Sequence, residues 1–344
     1  MNKKYSELAE LFRSEKTDEE ILDFLLNYHK NDIADMMAGM TEEERKRLYH
    51  LLGAQKVAEI FKYIEEPRKY IRELSVESAA RVISEMDSDD AVDLLEDLDP
   101  EEKEQIVRML DEDAKKDVKM LLSYDEEEIG SCMTTNYICI PEDLTIKQAM
   151  SELVKQAGEN DNIMTIYVVD EKGVFAGAID LKDLIRAREN THLEDLVLKS
   201  YPYVSDHEKI DDCMDRILDY AEDSIPVLSE DKRILGVITS EDLIEMVDNE
   251  MGEDYAKLAG LTAEEDLKEP IVQSMKKRLP WLIILLFLGM AVSSVVGLFE
   301  NVVAVLPIVI CFQSLVLDMA GNVGTQSLAV TIRVLMDENL TGKQ

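Results

Sequence analysis

Three hydrophobic rhythms follow one another along the chain. From Met1 to about Asp125, Leu, Met and Ala recur at helical spacing among Glu, Lys and Asp, with few glycines, which predicts short amphipathic helices. The pattern repeats. Ala34–Thr41, Ala80–Asp87 and Val92–Asp99 each set an apolar residue six positions after a small or β-branched one and end on Thr or Asp. Thr41, Asp87 and Asp99 are therefore expected N-caps with acids in the next turn, and Leu52, Leu98 and Leu110 lie eleven residues after them. Pro67 and Pro100 fall at breaks or first turns. Such units predict the stacked helices of an α-solenoid.

From Cys132 to about Glu250 the rhythm changes to short β-rich runs alternating with helices, and the segment is duplicated. Tyr137–Met150 aligns with Tyr201–Met214, and Ile166–Ile185 with Ile225–Ile244. Each copy shows an apolar strand, a turn, a second strand ending at Gly-x-x-x, and a helix opening at Asp. The third rhythm is nearly charge-free. Trp281–Phe299 has no charged residue and approaches the roughly 20 residues that span hydrocarbon. Glu300-Asn301 makes a short turn, and a second apolar run returns from about Val302 with Asp318 as its one charge before Arg333. Met275-Lys-Lys-Arg278 and Arg333 place both ends on the cytoplasmic side, and Trp281 suits the interface. Pro307 starts or kinks the return helix.

Composition narrows the function. Asp and Glu number 73 against 37 Lys and Arg, a net charge of −36 over 344 residues. Nucleic acid is thereby excluded as an expected partner, whereas cations suit such a surface, as does plain solubility. Cys132, Cys139, Cys213 and Cys311 form no CxxC pair and the histidines are scattered, which argues against zinc and a disulfide framework. No nucleophile–base arrangement appears, so no enzymatic activity is expected. The charged Met1–Glu20 is no signal peptide, so the soluble part is expected in the cytosol.

The carboxylates are clustered. Asp89, Asp90 and Asp93 open one predicted helix, with Asp97 a turn further. Oxygen-only ligands suit a hard cation such as Mg²⁺ or Ca²⁺; the same pattern also describes a solvated helix face. After the duplicated segment, Asp242, Glu245 and Asp248 or Asn249 share one helical face, and Glu250, Glu253 and Asp254 follow one turn on. That helix is either the conductor of a signal toward the apolar region or a passive spacer. Inside the second apolar run, Gly321-Asn322-Val323-Gly324-Thr325-Gln326 is costly against lipid, so it is expected to face protein or water and mark a substrate path.

The duplicated segment resembles a tandem cystathionine β-synthase (CBS) domain pair. Gly236-Val-Ile-Thr239-Ser-Glu-Asp242 matches that family's GxxTxxD pattern. The resemblance implies a cleft able to hold ATP or another adenine nucleotide, with Lys182, Asp183 and Thr239 as candidate contacts. The first copy departs from it, with Asp180 where Thr or Ser is usual, and an extra carboxylate near phosphate is unfavourable. Helix capping explains the Asp residues equally well.

In the order acidic helical repeat, CBS pair, acidic helix and a GNxGxQ membrane helix, the whole chain resembles the MgtE family of Mg²⁺ channels and transporters. The family implies a multidomain fold. An all-α superhelical N-domain over 1–129 precedes an α/β CBS pair, with repeats over 130–195 and 196–247. A connecting plug helix and linker over 248–278 then lead to two α-helical transmembrane segments over 279–344. Five such helices are expected in the family, so the sequence reads as C-terminally truncated. The resemblance implies a homodimer in the plasma membrane, multi-pass, with cytosolic N-terminal domains that sense Mg²⁺ and close the pore through the plug helix. Its Mg²⁺-binding positions correspond here to Glu59, Asp89, Asp93, Asp242, Glu245, Glu250, Glu253 and Asp254, and its pore-lining motif to Gly321, Asn322, Gly324 and Gln326. One departure is Ala221, with Glu222 beside it, where the family can place an acid; a bridging ion is then lost or shifted. Asp318 lines the path or caps a helix break. The competing expectation is a membrane-tethered Ca²⁺ or nucleotide sensor acting through a protein partner.

Overall fold

The computed structural model describes residues 17–64, 66–158, 160–188, 191–258, 271–299, 301, 305 and 307–335. Two compact units, Met1–Leu243 and Ile244–Gln344, divide the chain.

Among the described residues, the first unit opens with eight helices: α1 (Asp18–Leu25), α2 (Lys30–Met37), α3 (Glu42–Phe61), α4 (Pro67–Ile71), α5 (Val76–Ser84), α6 (Ser88–Glu96), α7 (Pro100–Met109) and α8 (Glu112–Leu121). Alternate helices pack together, α5 on α7 and α6 on α8, which is the stacking expected of a solenoid. Their inner faces seal Leu48, Phe61, Ile71, Ile83, Leu94, Leu95 and Leu121. Thr41 caps α3 through a capping box with Glu44. Asp87 and Asp99 occupy N-cap positions, but neither side chain caps. Asp87 instead accepts a hydrogen bond from Asn136 Nδ2 at 2.8 Å, and Asp99 takes Arg68 and Arg72. Charged or tertiary donors outcompete the local amide. Helix α3 is interrupted at Gly53 (φ 76°, ψ 170°), a backbone that a Cβ would strain.

A bidentate ion pair fixes the start of this repeat. The Arg45 guanidinium bonds both oxygens of Glu73 and also donates to the Met37 and Met40 carbonyls, which end α2 and its following turn. The two side chains are only 8% and 10% exposed.

The duplicated segment consists of two three-stranded sheets. In the first, β1 (Ile138–Pro141) lies parallel to β2 (Thr165–Val169), joined by α9 (Ile146–Gln156), and β3 (Phe175–Asp180) returns antiparallel before α10 (Leu181–Arg186). In the second, β4 (Val204–Ser205), α11 (Ile210–Tyr220), β5 (Ser224–Leu228) and β6 (Ile234–Thr239) repeat that order. The matching order is the duplication read in the sequence. Tyr167, Ala178, Tyr201 and Val237 form the core where the copies meet, and the Tyr167 hydroxyl lies 2.6 Å from Ser224 Oγ. The segment leading into the first copy is stitched to the second: Ile129 N–H donates to the Glu208 carbonyl, and Thr134 pairs with Val237. Gly236 permits that pairing, since a Cβ there would come 2.7 Å from the Thr134 carbonyl.

Helix α12 (Ser240–Leu258) continues without a break from β6, so the last CBS helix and the acidic connecting helix are one element. In the second unit, α13 (Ile271–Leu298) starts earlier than the uncharged run and includes Met275-Lys-Lys-Arg278. Ser274–Leu298 is long and apolar enough to cross a membrane, with mean hydropathy 2.4, and is the one such segment among the described residues. Helix α14 (Pro307–Leu335) opens at Pro307, a favourable first position, and carries the GNVGTQ motif as regular helix. Of the expected turn at Glu300-Asn301, Glu300 lies outside the described residues and Asn301 is helical.

Candidate functional site

Of the candidate acids, Glu59, Asp89, Asp93 and Asp242 gather where the helical repeat meets the duplicated segment. Three elements build the seam. Helix α6 presents Asp87, Asp89, Asp90 and Asp93 at and near its N-terminus, where backbone N–H groups favour anions. The end of α3 presents Glu59 and Lys62, and the start of α12 presents Glu241 and Asp242. Docking is fixed by neutral contacts beside the charges: buried Ser88 accepts from Thr135 N–H at 2.9 Å, and Asn136 bridges Asp87 and the Asp161 N–H.

Asp242 is turned inward by its own helix start. Its Oδ2 accepts from Thr239 N–H at 2.7 Å and from the Thr239 hydroxyl at 2.8 Å. Capping therefore occupies one oxygen of Asp242 and the Thr239 hydroxyl. Burial raises the Asp242 pKa against these hydrogen bonds. Across the seam, burial pushes Asp89 up to about 8, helped by the facing charges of Asp242, Asp90 and Asp87. One Asp89 oxygen, Oδ1, is sealed from solvent with no hydrogen-bond partner. Burial likewise raises Asp90 to about 7, partly offset by Lys62. An orphaned carboxylate oxygen among like charges is what a bound cation would satisfy.

Lys62 reaches into the same seam. Its Nζ lies 3.1 Å from Glu241, 3.8 Å from Asp87 and 4.0 Å from Asp90. Burial pulls its pKa down, but Asp90, Glu241 and Asp87 outweigh that and hold it above the usual lysine range. Beside it, Lys30 pairs with Glu59 at 2.9 Å. These side chains line a cavity of about 190 Å³ together with Asp161. A larger groove of about 800 Å³ opens beside α11, lined by Tyr201, Tyr203, Arg216 and Tyr220, and shares no residue with the seam.

Among the described residues no three His, Cys, Asp or Glu side chains form a ready-made metal cage. The acids approach as neighbours. Asp89, Asp93 and Asp242 all act on half-buried Cys132, whose thiol pKa is raised chiefly by burial. Glu245 is exposed on α12, and the Glu250, Glu253 and Asp254 side chains lie outside the described set. The candidate nucleotide residues are not linked: Lys182 and Asp183 are exposed on α10, and no described hydrogen bond or ion pair joins them to Thr239. The departure at Asp180 has a physical consequence, since burial first and Asp180 next raise the pKa of neighbouring Glu222. Sequence reasoning missed Lys62 and Glu241, whose partners lie on other elements. The usable signal was a lysine three residues after Glu59 in an acid-rich repeat.

The model of the MgtE intracellular N domain matches residues 28–127, and that of the CBS domain matches 127–190 and 193–249. The magnesium transporter MgtE of Enterococcus faecalis is 38% identical over 339 residues, covering 97% of this chain and 74% of the relative. Among solved structures, the soluble part of a magnesium transporter is 29% identical with a TM-score of 0.68, over 72% of this chain and 98% of that one. The cytosolic domain of the Mg²⁺ channel MgtE in complex with ATP is 27% identical with a TM-score of 0.63, over 70% of this chain and 99% of that one. With the helical repeat, the docked CBS pair and a relative matched along nearly the whole sequence, the chain belongs to the MgtE family of magnesium transporters.

Proposed function

We propose that this chain belongs to a homodimeric Mg²⁺ channel or transporter of the plasma membrane and carries the part that senses cytosolic Mg²⁺. The observation that carries this reading is the seam itself: Asp89, Asp90 and Asp242 are held half-buried, and the Asp89 oxygen has no partner. Such an arrangement is costly unless a cation joins it. Asp89, Asp93, Asp242 and Glu59 would hold that ion, with Glu245, Glu250, Glu253 and Asp254 extending the acidic surface along α12. The ion supplies positive charge between the helical repeat and the CBS pair. Mg²⁺ gives up its waters reluctantly, so contacts through water suit a seam that lacks a tight cage.

Without the ion, the carboxylates of α6 and α12 repel, and docking rests on Lys62 and the neutral Ser88–Thr135 contact. Helix α12 passes the resulting displacement toward the membrane as the plug. Gly321, Asn322, Gly324 and Gln326 on α14 line the conduction path, where amide groups can hold the hydration shell of a passing ion. Helices α13 and α14 cross the bilayer, with further helices completing the pore. The ATP-bound relative supports a second input, an adenine nucleotide at the CBS pair near Lys182, Asp183 and Thr239. In the test of the sensing role, Asp89→Ala with Asp93→Ala should raise the Mg²⁺ concentration needed to protect α12 from protease at least about threefold. An unchanged midpoint would return both residues to a solvated helix face.

A further inference from the structure

Among the described residues, the ion pairs of Lys62 in this seam go to three carboxylates, Asp87, Asp90 and Glu241. Its ammonium projects from the C-terminal end of α3, where a cation also suits the helix dipole, into carboxylates from two other elements. Two of those carboxylates, Asp87 and Asp90, belong to the helical repeat. The third, Glu241, belongs to the first turn of α12. The lysine therefore ties the repeat to the helix that follows the second CBS copy. Its compensation is partial: Asp89 Oδ1 stays unpartnered, and Asp89 and Asp242 still oppose one another.

We propose that Lys62 is a permanent counter-ion of the seam. It holds the helical repeat docked when the divalent ion is absent and sets how much ion the seam requires. The inference rests on the Mg²⁺-sensing reading above. The physical case is competition for one field. An ammonium tethered by its own chain neutralises one unit of the charge that would attract a free cation, and it repels that cation at short range. Because its charge is built into the fold, it acts at every Mg²⁺ concentration, and the free ion adds what remains. Lys30, bound to Glu59 on the same cavity wall, adds to this fixed charge.

A neutral replacement then has two effects of opposite sign. Docking loosens without Mg²⁺, while Mg²⁺ binds more tightly because its built-in competitor is gone. A merely structural ion pair would give the first effect with a Mg²⁺ midpoint unchanged or raised. The test is hydrogen exchange of the full chain in detergent, read at residues 88–93 and 133–136, for wild type, Lys62→Met and Lys62→Arg. In chelator, Lys62→Met should exchange at least about threefold faster than wild type, as expected for a lost partly buried ion pair. Its Mg²⁺ midpoint should fall about three- to tenfold, the effect of one screened unit charge near a divalent ion. Lys62→Arg should match wild type in both arms. Should Lys62→Met fold poorly by circular dichroism, Glu241→Gln removes the pair from its exposed side and must reproduce the metal-free loosening. A Met-variant midpoint equal to or above wild type overturns the competition, and unchanged exchange in chelator overturns the tether. A wild type indifferent to Mg²⁺ would sink the sensing function and with it the competition, while the chelator arm still decides the tether.

Discussion

At Asp89 two costs add, burial and the facing charges of Asp242, Asp90 and Asp87. Its pKa of about 8 stands above the ordinary 3.8, so between those values the folded chain keeps a proton that the unfolded chain has released. The stability this group contributes is therefore full below about pH 4, declines as pH rises toward about 8, and is flat above. Asp89→Asn removes the charge while keeping the shape. It should stabilise the Mg²⁺-free chain by about 1–3 kcal/mol at alkaline pH and change little near pH 4, as thermal unfolding at the two pH values would show. A gain equal at both would mean that the charge is not the cause. Arg45 is the opposite case, a buried charge with full compensation. Arg45→Ala strands Glu73 and should cost about 3–5 kcal/mol in denaturant unfolding of the helical repeat. A loss below about 1 kcal/mol would reduce the pair to a surface-grade contact.

At the scale of elements, much of the fold was legible. The periodicity up to about residue 125 gave helices from Asp18 on, its first 16 residues lying outside the described set, and the duplicated strands gave two copies of one βαββα order, because burying one face leaves a regular pattern. Thr41 was readable as a cap because its partner Glu44 is local. Asp87 and Asp99 were not, because Asn136, Arg68 and Arg72 come from other elements. The break at Gly53 was hidden by helix-forming neighbours on both sides. For the site, the sequence named Asp89, Asp93 and Asp242 but missed Lys62 and Glu241, whose pairing exists only after the repeat docks. The continuity of α12 leads to its own prediction. Ile244→Pro, at an exposed position, should break the helix at a cost of about 3 kcal/mol. Mg²⁺ should then still slow exchange at 88–93 but no longer protect residues beyond 244 from protease. Protection retained on both sides of the break would show that α12 does not carry the signal.

For the whole molecule, an excess of acid, with net charge −36, precedes helices with very few acids. In the proposed reading the acids would serve as a collective cation detector, weak at each position and steep in sum, because separating the domains would relieve many repulsions at once. The most direct test titrates the full chain with Mg²⁺ while following proteolysis of α12 and the radius of gyration. Millimolar Mg²⁺ should shrink the cytosolic part and slow cleavage within residues 240–258, with half-effects at the same concentration. Cleavage rate and radius that stay constant across the titration would contradict the account.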